Sequence, residues 1–125
     1  MKITLTPEES EEYFYNALCN GLDYFQGYGF DLDYDADQYY KAREKLKSPC
    51  FEDVLMQLLR DGGQLIFKDV ENEGDMTRIV TLKDIHERVQ NAPIKTLIEM
   101  ADQEDDADTA DIILQTVLFN EILLG

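Results

Sequence analysis

At 125 residues, 44% of them hydrophobic and including seven Tyr and six Phe, the chain has the size and apolar content of one folded domain, 1–125, rather than of a disordered segment. Its 27 acidic and 11 basic residues give a net charge of −16, which opposes binding to nucleic acid or an anionic membrane. The same charge favours basic protein surfaces or cations as partners.

Residues 2–5 read as a short first strand, and the opening MKITLTPEES lacks the apolar core of a secretory signal. A cytoplasmic location is expected, with Cys19 and Cys50 as free thiols. Thr6, Pro7 and Glu9 announce a helix start with a capping box. Phe14, Leu18, Leu22 and Phe25 then repeat as one buried stripe, with Glu12, Asn16, Asn20 and Asp23 opposite, and Gly27 and Gly29 close the helix.

The segment FDLDYDADQYY reads as an acidic loop leading into a short helix through QYYKAREKLK. Ser48 and Pro49 predict the start of another helix, burying Phe51, Leu55, Leu58 and Leu59 and stopping at Gly62 and Gly63. A hairpin is expected from 64–70 and 76–82, with the N-terminal strand as its third member. Thr81 with Asp84 caps the next helix, and Pro93 starts one carrying Ile94, Leu97 and Ile98. The last helix is predicted over 109–124 and is apolar around most of its circumference, so it should be the central core element or a homodimer interface. At 112–124 the apolar stretch is shorter than the roughly 18 residues that span a bilayer. The expected fold class is α+β: five to six helices packed with a small antiparallel β-hairpin.

The charge is unevenly distributed. Blocks 1–40, 69–75 and 96–125 carry net charges of −8, −4 and −8, whereas 41–68 and 76–95 carry +2 each. Within the acidic blocks lie three ladders: Asp31, Asp33, Asp35 and Asp37; Asp69, Glu71, Glu73 and Asp75; and Asp102, Glu104, Asp105, Asp106 and Asp108. Asp33, Asp35, Asp37 and Glu44 match acidic positions of a twelve-residue calcium loop, which makes 31–44 a divalent-cation candidate. Gln38 stands where that loop needs Gly, however, and Lys41 stands among the ligand positions. The second ladder matches only its beginning, and no metal or cofactor site is assigned.

Enzyme signals are weak. His86 is the only histidine, which excludes multi-histidine zinc sites, and it reads as a partly exposed or core-edge residue. Cys50 at a helix start reads as a packed apolar cysteine beside Phe51. Gly62 and Gly63 follow a helix, which does not suit a phosphate loop. No catalytic residue is assigned.

The expectation is therefore a non-enzymatic interaction protein (inhibitor, antitoxin-like or regulatory factor) docking a basic partner through the three ladders. Mimicry of DNA is an extension of that reading. Acids alternating along a strand lie about 6.6 Å apart, against about 3.4 Å between phosphates of one DNA strand, so a mimic needs two ladders to converge. A cation-binding module and an enzyme of unrecognised chemistry are the alternatives. Seven tyrosines fall in the first 40 residues, beside the first ladder, a composition common on protein-binding surfaces.

Overall fold

The computed structural model describes residues 3–71 and 73–124. These form six α-helices and a three-stranded antiparallel sheet, an α+β fold. In chain order the elements are α1 Pro7–Gly27, β1 Phe30–Asp33, α2 Ala36–Glu44, α3 Phe51–Arg60, β2 Leu65–Asp69, β3 Arg78–Val80, α4 Leu82–Arg88, a 3-10 turn Val89–Asn91, α5 Ile94–Ala101 and α6 Ala107–Phe119.

Local chemistry fixes several starts. The Thr6 hydroxyl accepts from the Glu9 amide at 3.1 Å and the Glu9 carboxylate accepts from the Thr6 amide at 2.9 Å, the reciprocal box expected for α1. Thr81 and Asp84 do the same for α4. In α1, Phe14, Leu18 and Phe25 are buried and Leu22 packs beside them, as the stripe predicts.

The core lies where α1 and α6 cross, the most extensive helix pairing in the molecule. Ala110, Ile113, Leu114, Val117 and Leu118 of α6 are all buried. Gly21 of α1 allows the close approach: a Cβ there would stand 3.0 Å from Ala110 Cβ and from a Leu114 methyl. The expected central role of the last helix holds.

Four expectations are corrected. No strand forms at residues 3–5; the Leu5 amide instead donates to Gln90 Oε1 at 3.2 Å while Ile3 and Leu5 pack on the core, and Lys2 lies outside the described residues. The third strand is β1, in the stretch read as an acidic loop, and the sheet order is β1-β2-β3. Helix α3 starts at Phe51 with Cys50 as its cap residue, because Ser48 takes a left-handed φ of 47° and turns the chain before Pro49; Phe51 is 39% exposed, so it is not core. Helix α6 ends at Phe119, not 124. Asn120 adopts φ 58° there, and the tail turns back so that the amides of Leu123 and Leu124 donate to the buried Gln115 Oε1 at 2.9 and 2.8 Å.

Candidate functional site

Strand β1 pairs only with β2, in the register Phe30↔Asp69, Asp31↔Lys68, Leu32↔Phe67 and Asp33↔Ile66. The Val70 amide donates to the Gly29 carbonyl at 2.9 Å, which sets the phase of the ladder. Hydrogen-bonded pairs alternate in an antiparallel ladder, so Asp31 and Asp33 exchange bonds with β2. The N–H and C=O groups of Phe30 and Leu32 face away from it. Among the described residues nothing outside the ladder bonds to those outward groups.

Side chains alternate in the orthogonal sense. Phe30 is buried and Leu32 half-buried on the helix-facing side, while Asp31 and Asp33 are exposed on the solvent side. Along the strand runs a groove of about 430 Å³, lined by the whole of β1 with Leu22, Phe25 and Gln26 of α1, Phe51 of α3, and Phe67 and Lys68 of β2. Tyr34 extends this wall, stacked on Tyr39 with ring centroids 5.0 Å apart. Neither Asp31 nor Asp33 belongs to an ion pair among the described residues. The edge thus combines the outward backbone groups of half-buried Leu32, an apolar floor and two carboxylates, with Lys68 opposite Asp31; Phe30 is only 3% exposed, so its outward groups are covered.

The other predicted residues have different placements. Asp35 caps α2, accepting from the Gln38 amide at 2.9 Å, and Asp37 sits in its first turn. Residues 33–44 are therefore a strand end followed by a helix rather than a calcium loop. Among the described residues no three His, Cys, Asp or Glu side chains are grouped to hold a metal ion.

Asp69 is only 3% exposed, and its carboxylate accepts from the amides of Glu71 and Met76 at 3.0 and 3.1 Å. It organises the hairpin turn and is withdrawn from any docking surface. Glu71, Glu73 and Asp75 are exposed on that turn. Glu71 folds over Gly29, whose φ of +91° and lack of Cβ leave room for it; a Cβ there would stand 2.5 Å from the Glu71 carboxyl carbon. This brings the second ladder to the beginning of β1.

The third ladder lies elsewhere. Asp102 ends α5 and Asp106 caps α6. Glu104 is exposed, its amide donating to the Glu99 carbonyl at 2.9 Å. Asp105 accepts from Asn20 at 3.5 Å, and Asp108 accepts from the Tyr24 hydroxyl at 2.8 Å. Asn20 and Tyr24 are each two residues from Leu22, about 200° around α1 from the groove. The third ladder therefore stands on the opposite flank of α1 from Asp31 and Asp33. The three ladders do not make one face, because the packing of α6 across α1, not local sequence, decides where residues 102–108 go.

Beside this ladder, burial raises the pKa of the Asp111 carboxyl above its ordinary value while donors from Gln115 and Tyr28 pull it back. Burial and the 3.0 Å bond to Asp111 push the Tyr28 phenol up to about 12.

Two polar arrangements were not foreseen from sequence. Glu11 receives Arg60 Nε and faces His86 Nε2, each at 2.8 Å, tying α1 to α3 and α4. Burial works against its charge, but the bonds from Arg60 and His86 hold the Glu11 carboxyl below its ordinary value. His86 is partly exposed, as its sequence context suggested, and serves as a pairing partner. Cys50 is exposed rather than packed, 3.5 Å from the Tyr15 hydroxyl. Separations of 49, 75 and 35 residues join these groups, and no local pattern signals them.

Compared with known proteins, the chain matches no family model, no curated protein and no solved structure.

Proposed function

We propose that this is an acidic docking protein that holds a basic segment of a partner protein along the outer edge of β1. The observation that carries the reading is the coincidence on one strand of exposed Asp31 and Asp33, unpaired backbone groups and an apolar groove. Each feature alone is ordinary. Together they supply hydrogen bonds, buried area and charge complementarity, the ingredients of a protein-binding site.

The surplus charge of the whole chain adds long-range attraction for a basic partner and speeds encounter. Occupying a basic surface is the work of an inhibitor, an antitoxin-like factor or a regulator, and needs no chemistry at the site. Two exposed free thiols suit a reducing cytoplasm. No helix among the described residues is long and apolar enough to cross a membrane. A DNA-like array would need a converged set of ladders, and the separation of the third ladder leaves the docking edge as the better-supported form of the idea.

The test is selection of random displayed peptides on the wild-type protein, followed by binding measurements on variants. Selected peptides should be rich in Lys and Arg and should bind more weakly as salt rises. Asp31→Asn with Asp33→Asn should weaken them, whereas Asp102→Asn with Glu104→Gln should not. Selection of neutral peptides, or equal binding to both double variants, would refute the assignment.

A further inference from the structure

We infer that Cys19 and Cys50 are the two halves of a reversible disulfide that joins α1 to α3, a redox-modified site independent of the docking edge. Both cysteines are exposed, and both are free thiols. They are far apart in sequence, but the packing of the two helices brings them level. Glu11 of α1 meets Arg60 of α3 at 2.8 Å, and further along α1 the Tyr15 hydroxyl stands 3.5 Å from Cys50 Sγ. The two helices therefore run antiparallel. From Glu11 to Cys19 is about 12 Å along α1, and from Arg60 back to Cys50 is about 15 Å along α3. Both cysteines thus reach the same end of the helix pair.

Tyr15 is the group they share. It lies one turn before Cys19 on α1, and its hydroxyl hydrogen-bonds the Cys19 thiol as well as meeting Cys50. Rotation of the two thiols past this hydroxyl brings the sulfurs together. The displaced hydroxyl keeps a partner in Asp53, whose carboxylate also accepts from the Cys50 amide at 3.1 Å.

The two sulfurs have different parts to play. Burial and the Glu52 carboxylate push the Cys19 thiol up, so Cys50 attacks first and Cys19 resolves. The oxidant is a small-molecule disulfide of the glutathione type. Cys50 sulfur bonds to one glutathione sulfur, the glutathione S–S bond breaks, and the released glutathione takes the Cys50 proton. Cys19 sulfur then bonds to Cys50 sulfur, and the second glutathione leaves with the Cys19 proton. Two protein thiols are oxidised to one disulfide while one glutathione disulfide is reduced to two thiols. The new bond stands one turn from Leu22 and one residue from Phe51, which line the groove beside β1.

The test is incubation of folded, reduced protein with oxidised glutathione, followed by intact mass and a non-reduced digest. The wild type should lose both thiols together and the mass of two hydrogens, and yield one cross-linked Cys19–Cys50 peptide pair that dithiothreitol separates. Closure should be at least about tenfold faster than in the urea-unfolded chain, where the intervening segment must close by diffusion. Cys19→Ser should instead hold a glutathione on Cys50, and Cys50→Ser should react at Cys19 about tenfold more slowly. Glutathione retained on both wild-type cysteines, disulfide-linked dimers, or closure no faster in the folded protein than in urea would each show that the fold does not bring the sulfurs together. Equal rates in the two serine variants would overturn the order of attack.

Discussion

Replacing Gln115 with Met removes one buried amide while keeping side-chain volume, so the cost reports polar contacts rather than a cavity. Gln115 is fully buried; its amide nitrogen donates to Asp111 at 3.1 Å and to the Leu124 carbonyl at 3.2 Å, and its oxygen takes both tail amides. The three tail bonds cost little when lost, because Leu123 is already 48% exposed and the freed groups can reach water. The bond to Asp111 is different: it serves a half-buried carboxylate, and losing a bond to a charged group costs about 1.5–3 kcal/mol. The expected loss is therefore about 2–3 kcal/mol by urea denaturation at neutral pH, with faster amide exchange at Leu123 and Leu124.

The loss should shrink on acidification. A carboxyl whose folded pKa is raised destabilises the fold as pH rises through the interval above its ordinary 3.8, and removing Gln115 raises Asp111 further. The variant should thus be nearer wild type at pH 4 than at pH 7. A change below about 0.5 kcal/mol at pH 7 with unaltered tail exchange would refute the account.

Gly21→Ala should destabilise by about 1–2 kcal/mol in thermal or urea unfolding even though Ala is the better helix former by about 1 kcal/mol, since its methyl meets Ala110 and Leu114 at 3.0 Å and the Ala110 carbonyl carbon at 3.3 Å. Leu118→Asp should leave the chain unfolded by circular dichroism, at a cost above about 4 kcal/mol, because Leu118 is 1% exposed on the central helix; a folded variant would contradict the core assignment. Glu11→Gln should flatten the acid limb of the stability curve: a depressed carboxyl contributes stability that is present above its ordinary 4.5 and is lost as pH falls through the lower folded value, so wild type and variant should converge in acid.

What was readable in the sequence was local. Thr6 with Glu9 and Thr81 with Asp84 are boxes written within four residues, and the α1 stripe and the hairpin are periodicities of a dozen residues or fewer. Strand β1 was hidden because Asp is depleted in strands, although Phe30-Asp31-Leu32-Asp33 carries the alternation of a half-buried strand and could have been read from it. The end of α6 was not legible, because Gln115 recruits the tail across eight and nine residues while the apolar run continues through Ile122. Nor was the dispersal of the ladders, which depends on α6 crossing α1 at Gly21 and carrying Asp105 and Asp108 to the Asn20 and Tyr24 flank. Composition located the acids, and only tertiary packing decided that Asp69 is buried while Asp31 and Asp33 face solvent.

Charge reversal tests the docking edge most directly. Asp31→Lys with Asp33→Lys and Asp102→Lys with Glu104→Lys shift the net charge equally, so any difference between them is a matter of position. Binding of acetyl-Lys-Val-Lys-Val-Lys-amide and of its glutamate counterpart, acetyl-Glu-Val-Glu-Val-Glu-amide, would be measured on both by calorimetry. The account predicts that reversal on β1 exchanges the preference, losing the lysine peptide and gaining the glutamate one, while reversal at 102 and 104 leaves the lysine peptide bound. Equal weakening by both reversals would show that net charge alone attracts basic peptides and that β1 is not the site.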